Sequence, residues 1–282
     1  MPYRQEISRQ NKALFIFLLD QSFSMTDPLA GGERKIDQLV LAMNAWLQNM
    51  VIVCGKSEGL KDWFDICIMG YRTDSEANPI IEPALGGVLA GREIVSISDI
   101  ANNPARVETI TALMPDDETG EMLPMEQQMP VWVDAKTEGA TPICSAIVKA
   151  CEIIDNWIPQ HETSFPPIVI NITDGEATDG DPLPYAEALR QRETKDGNVL
   201  FFNCCLSATL ADSFLFRGNG ELMPDAFARQ LFEMSSILPE SMVNKARDDG
   251  QDLEANARGM AYNADMVSLI KFLEMGTRAA LR

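Results

Sequence analysis

Two largely apolar runs, each followed by an aspartate, restrict this chain more than any other feature. The first is ALFIFLL, residues 13–19, followed by Asp20; the second is PIVINIT, residues 167–173, followed by Asp174. A strand that is apolar at nearly every position has no solvent face. It must be covered on both sides, as in a parallel sheet layered between helices. The intervening sequence fits that layering. Ile36, Leu39, Val40, Met43, Trp46, Leu47 and Met50 recur at helical spacing across 35–53. Residues 63–71 (WFDICIMGY) read as a strand, 184–194 as a helix, 198–206 as a strand, 224–237 and 240–258 as helices, 259–262 as a short strand and 265–281 as a terminal helix. Thr141-Pro142 opens a helix over 141–157, with Thr at the cap and Pro at the first helical position. Strands alternating with helices predict an α/β fold, a doubly wound, mostly parallel central sheet flanked by helices, with strand order 3-2-1-4-5-6. Residues 72–140 are less regular and are expected to hold a strand and a surface insertion. Residues 224–282 form an extended C-terminal helical region. With no internal repeat and no linker, 1–282 reads as one domain.

The net charge of −19 disfavours nucleic acid and anionic membrane surfaces as partners, since both select basic patches. Six cysteines, Cys54, Cys67, Cys144, Cys151, Cys204 and Cys205, lie mostly within apolar stretches and form no CxxC pair, which points to a reducing cytoplasm. The polar N-terminal segment 1–12 lacks a signal-peptide core, and no apolar run reaches the roughly 18 residues that a membrane span needs. His161, the only histidine, sits in a Pro-flanked polar segment and reads as exposed and idle.

The chemistry gathers at the strand ends. In a doubly wound sheet, ligands bind beyond the C-terminal strand ends where strand order reverses. Strands ending at Asp20 and Asp174 are expected to be neighbours there, joined by the segment of Thr141. Asp20, Ser22, Ser24, Thr141 and Asp174 offer two carboxylates and three hydroxyls, the donors of a hard divalent cation; no Cys or His takes part, which argues against zinc. Magnesium is preferred over manganese or calcium, because few protein carboxylates leave room for waters. Phe23 and Met25, with Glu176 and Asp179, are expected to form a partner-binding face around that point. Phe23 beside the metal reads equally as a partner contact or as packing beneath the loop.

The pattern Asp20-x-Ser22-x-Ser24, a separate Thr141 and a later Asp174-Gly175 resembles the metal-ion-dependent adhesion site of von Willebrand factor A domains. Phe23 departs from the Gly that many members carry between the serines. The resemblance implies direct coordination by Ser22, Ser24 and Thr141, with Asp20 and Asp174 bound directly or through water. It implies an open position filled by an Asp or Glu of a protein partner, and a terminal helix over 265–281 that responds to occupancy. Residues 172–182 (ITDGEATDGDP) and the ending LIKFLEMGTR are similar to bacterial stand-alone cytoplasmic members of tellurite-resistance-type clusters. That likeness implies a stress-response, signalling or defence setting and a co-encoded kinase, phosphatase or ATPase. A non-enzymatic interaction module is therefore expected. The alternatives are a metal-dependent hydrolase or phosphatase, or an adaptor subunit of an AAA+ ATPase. No P-loop or GxGxxG follows a strand, and no Ser–His pair is available for a triad.

Overall fold

The computed structural model describes residues 3–5, 7–29, 31–56, 59–115, 122–207, 213–248, 250, 253–254, 256–264 and 266–278. In chain order the main elements are β1 (Ala13–Asp20), α1 (Lys35–Cys54), β2 (Phe64–Thr73), β3 (Pro79–Pro83), β4 (Val95–Ser96), α2 (Ile97–Asn102), β5 (Arg106–Pro115) and β6 (Met122–Val131). They continue with α3 (Ile143–Trp157), β7 (Ile168–Thr173), α4 (Leu183–Arg190), β8 (Leu200–Cys205), β9 (Phe214–Leu215), α5 (Ala226–Met234), α6 (Glu240–Asp248), β10 (Met260–Tyr262) and α7 (Met266–Arg278).

The central sheet runs β9-β10-β8-β7-β1-β2-β3, with β4 also paired to β2. Its interior pairs, β2–β1, β1–β7, β7–β8 and β8–β10, are all parallel. The additions are antiparallel: β3 and β4 on β2, and β9 on β10. Mostly parallel layering is thus present, with two-residue β4 and β9 as further strands that the six-strand scheme lacks.

Every residue of β1 is buried. Alternate side chains serve opposite faces, which is why the run shows no polar alternation. Phe15, Phe17 and Leu19 pack with α1 and α7 through Leu39, Trp46, Leu269 and Phe272. Leu14, Ile16 and Leu18 pack with α3, α4 and α5 through Ile147, Ile154, Leu189 and Leu231. Trp46 meets the rings of Phe17 at 4.6 Å and Phe15 at 6.1 Å, both edge-on. Helix α1 is long and apolar enough to cross a membrane by length and composition, which the sequence reading did not anticipate, yet its apolar stripe is spent on this core. A row of buried polar groups crosses the other face. The Tyr71 hydroxyl donates to Asn171 Oδ1 (2.9 Å), Asn171 Nδ2 to Asn203 Oδ1 (3.1 Å) and Asn203 Nδ2 to Ser235 Oγ (3.0 Å). The sequon Asn171-Ile172-Thr173 lies within this buried strand.

The insertion is more ordered than its composition suggests. β5 and β6 form a separate antiparallel ribbon of ten residues a side. It is anchored by Asn44 of α1, whose Oδ1 accepts the Trp132 and Val133 N–H groups (2.8 and 3.1 Å) and whose Nδ2 donates to Val133 O (3.0 Å). The side chains of 112–125 lie outside the described residues, and with them Met114, Met122 and Met125 of the expected methionine surface; Met129 is buried. Several helix bounds shift. The helix expected over 240–258 stops at Asp248, followed by Gly250 at φ +79°. The terminal helix spans Met266–Arg278, and its expected flanks, Asp265 and 279–281, lie outside the described residues. His161 is not idle: its ring stacks on Trp157 at 4.0 Å, and Nε2 stands 4.0 Å from Asp65 Oδ2, at the N-terminal edge of the sheet.

Candidate metal centre

β1 ends at Asp20, which is fully buried opposite Tyr71 of β2. Asp20 Oδ1 accepts the Ser22 N–H (2.8 Å), which folds the chain back over the strand end. Asp20 Oδ2 accepts the Thr173 hydroxyl (2.6 Å) from the last residue of β7. A single 3-10 turn follows at Phe23–Thr26. That turn sends neighbouring apolar side chains in opposite directions: Phe23 is 68% exposed, whereas Met25 is 0% exposed within the core under α1. Met25 is therefore corrected from a partner contact to a core residue.

The second loop is fastened to the first. Gln21 O accepts the Glu138 N–H (2.8 Å), Gly139 O accepts the Phe23 N–H (2.9 Å) and Thr73 Oγ1 accepts the Ala140 N–H (2.9 Å). Gly139 has φ +62°, and a Cβ there would stand 2.2 Å from Thr73 O, so only glycine lets this segment approach so closely. Beneath the loops the buried Arg72 guanidinium donates to Gln21 Oε1 (3.2 Å) and pairs with Glu82 (3.0 Å) and Glu138 (3.4 Å). Thr141, 5% exposed, emerges from this clamp.

Thr141 does not cap α3. The helix starts at Ile143 with Pro142 at its N-cap and no side-chain cap bond from that residue. The acceptor comes instead from the third loop. Asp179 takes the N–H groups of Cys144 and Ser145 (3.0 and 2.8 Å) and the Ser145 hydroxyl (2.8 Å). Thr178 exchanges two further bonds with Thr141, N–H to Thr141 O (2.9 Å) and Oγ1 from Thr141 N–H (3.1 Å). Glu176 is exposed, as a rim residue would be, while Asp179 has this structural employment as well.

The oxygens converge between β1 and β7. Ser22 Oγ and Ser24 Oγ stand 3.0 Å apart, and Ser24 Oγ donates to Asp174 Oδ1 (2.7 Å). A Cβ built on Gly175 would meet Thr141 Oγ1 at 3.8 Å and Ser24 Oγ at 3.9 Å, so both hydroxyls border one small space left free by the glycine. Among the described residues no group of three or more His, Cys, Asp or Glu side chains is placed to hold a metal ion. A cation here would rest on two carboxylates supplemented by three hydroxyls. Burial pushes the Asp20 carboxyl up to about 6, against the pull of its bonds from Ser22 and Thr173; the Asp174 charge pushes the same way as burial. Two carboxylates and three hydroxyls are all hard oxygen donors, a set that would suit magnesium or another hard divalent ion.

No protein-family model and no curated protein matches the chain. Among solved structures it is similar to the pilus adhesin SpaC from Lactobacillus rhamnosus GG, with a TM-score of 0.52 and 10% identity over 98% of this chain and 31% of that one. It is also similar to the PilB minor pilin from Streptococcus sanguinis (TM-score 0.46, 10% identity, 98% and 63%). A third is the vWF domain of the type V pili tip protein Mfa5 from Porphyromonas gingivalis (0.34, 10%, 89% and 57%). The chain spans less than two thirds of the length of each. The likeness to SpaC is one of fold alone.

Three residues of the site escaped the sequence reading. Thr173 ended an apolar run and looked like strand. Arg72 gave no local sign of burial. Lys35 looked like a solvated residue opening an amphipathic helix, yet its ammonium lies 2.7 Å from Asp174 Oδ2 with its side chain 9% exposed. One signal was available: a cation at the first residue of a helix opposes the helix dipole and asks for a reason.

Proposed function

We propose that this chain is a von Willebrand factor A-type module that binds a protein partner through a divalent cation, preferably magnesium. One observation carries the reading: three separate loops bring Asp20, Ser22, Ser24, Thr141 and Asp174 to one point beyond the C-terminal ends of adjacent parallel strands. When bound, the cation would supply a Lewis-acidic centre for a carboxylate of the partner. Ser22, Ser24 and Thr141 would hold it with neutral oxygens. Asp20 is anchored by Ser22 and Thr173, and Asp174 is tied to Ser24 and Lys35, so both carboxylates are committed to fixed positions. Neutral hydroxyls leave residual positive charge for an incoming Asp or Glu, a charge-assisted contact. Phe23 supplies exposed apolar area beside that point, with Glu176 at the rim. The reading is non-enzymatic on the strength of the sequence resemblance, and His161, stacked on Trp157 beside Asp65, is not at the hydroxyls to form a Ser–His pair. Six free, buried cysteines favour a reducing, cytoplasmic setting. Participation in a bacterial stress-response system, alongside a kinase, phosphatase or ATPase, rests on the sequence resemblance.

The test is calorimetric titration with magnesium, followed by pull-down in magnesium and in EDTA. Asp20→Ala combined with Ser22→Ala is expected to abolish binding of the ion while circular dichroism stays native. Phe23→Ala is expected to weaken the captured partner by about 1–3 kcal/mol. Undiminished magnesium affinity in the double variant would refute the ligand set, and capture unaffected by both EDTA and Phe23→Ala would move the interface elsewhere.

A further inference from the structure

Lys35 is placed where stability alone gives it little reason to be. It is the first residue of α1, and its residue exposure is 7%. Taking an ammonium out of water is costly, and the helix N-terminus adds positive potential of its own. Its near partner is Asp174, at 2.7 Å with a side chain 1% exposed; Asp27, at 3.8 Å, is 63% exposed and largely solvated. Asp174 is thereby divided, Oδ1 to the Ser24 hydroxyl and Oδ2 to the lysine. The other site carboxylate, Asp20, has no ion pair among the described residues. Of the two negative charges bordering the site, one is already matched by a positive charge from the protein itself.

We propose that Lys35 is a built-in counter-cation that lowers the affinity of the site for a divalent ion and raises the affinity of the occupied site for an anionic group; this rests on the metal-dependent reading above. The charge count gives the direction. Two carboxylates and one ammonium sum to −1, so a bound divalent ion leaves the site at +1. Without the ammonium the same site would be neutral. Lys35 thus repels the ion and attracts the carboxylate that follows it, and the two effects have opposite signs. A lysine that served only to stabilise the fold would not separate them: its removal would weaken both bindings or neither.

The probes are manganese, titrated calorimetrically and by water-proton relaxation, and acetate added to the manganese-loaded protein. Lys35→Met is expected to bind manganese at least tenfold more tightly and acetate at least threefold more weakly than wild type. Lys35→Arg, which keeps the charge, is expected to stay within threefold of wild type in both. Lys35→Gln, uncharged but still able to donate to Asp174, is the second neutral variant should the methionine variant not fold. On the wild-type protein, the 15N signal of the Lys35 ammonium is expected to move when magnesium saturates the site; an unmoved signal at saturation overturns the proposal. Unchanged or weaker manganese binding in the neutral variants, or unchanged acetate binding, also overturns it and leaves the metal-dependent reading standing. Manganese binding by a neutral variant but not by wild type supports the counter-cation and refutes a resident metal. No binding by any form refutes both.

Discussion

Asp179→Ala removes an acceptor that ends three hydrogen bonds at the start of α3, two from the backbone N–H groups of Cys144 and Ser145 and one from the Ser145 hydroxyl. Loss of a capping acceptor costs roughly 0.5–2 kcal/mol. Loss of a negative charge at a helix N-terminus adds roughly 0.3–1 kcal/mol. Asp179 is exposed, so water partly replaces it, and about 2 kcal/mol is the fair total. For a chain of 282 residues the unfolding entropy is about 0.6 kcal/mol/K, so Tm should fall by about 3 °C. Asp179→Asn keeps one acceptor oxygen and should lose about half as much. The assay is thermal unfolding followed by circular dichroism in EDTA, which removes any contribution of a bound ion. Because Thr178 beside it is bonded to Thr141, the alanine variant should also loosen the ligand loop and weaken magnesium binding more than its stability loss implies. A Tm within 1 °C of wild type would refute the assignment of the α3 cap to this distant residue.

Two further outcomes follow from the geometry. Gly139→Ala puts a Cβ into Thr73 O at a positive φ, and is expected to cost about 1–3 kcal/mol and to reduce magnesium affinity by displacing Thr141; a stable variant with unchanged affinity would show that the clamp does not set the ligand. Burial pushes the thiols of Cys54, Cys67 and Cys144 up to about 11, 12 and 12, and raises Cys204 and Cys205 as well. A raised thiol pKa means less thiolate at a given pH, so the native protein at pH 8 should take up no iodoacetamide within an hour by mass spectrometry, whereas the guanidinium-unfolded chain takes up six; a rapidly labelled native cysteine would contradict the burial.

What could be read from the sequence was what local pattern encodes. The apolar runs before Asp20 and Asp174 have one consistent explanation, and the five ligand candidates follow from where those runs stop. What could not be read was non-local. The α3 cap lies in another loop, so Thr141-Pro142 seemed a sufficient start signal. Met25 and Phe23 are both apolar, and only the 3-10 turn decides which faces inward. The two-stranded ribbon of the insertion carries Pro124 and Pro130 within its strands, where an outer edge needs no donor, so no regular strand pattern announced it. Lys35 and Asp174 are far apart in sequence, and no periodicity announces a contact of that range.

The row of Tyr71, Asn171, Asn203 and Ser235 has a consequence for how the sheet finds its alignment. β1, β7 and β8 are buried along their whole length and mostly apolar, so sliding one past its neighbour by two residues still sets hydrophobe beside hydrophobe at most positions. Hydrophobicity therefore discriminates poorly between the correct register and its slipped alternatives. The amides do discriminate. Asn171 stands opposite Asn203 in the native pairing, and a slip would carry its buried amide away from both Tyr71 and Asn203, at about 1–3 kcal/mol for each group left unsatisfied. Since Asp20 ends β1 and Asp174 directly follows β7, the same few polar atoms that penalise misalignment also hold the two carboxylates in their relative positions.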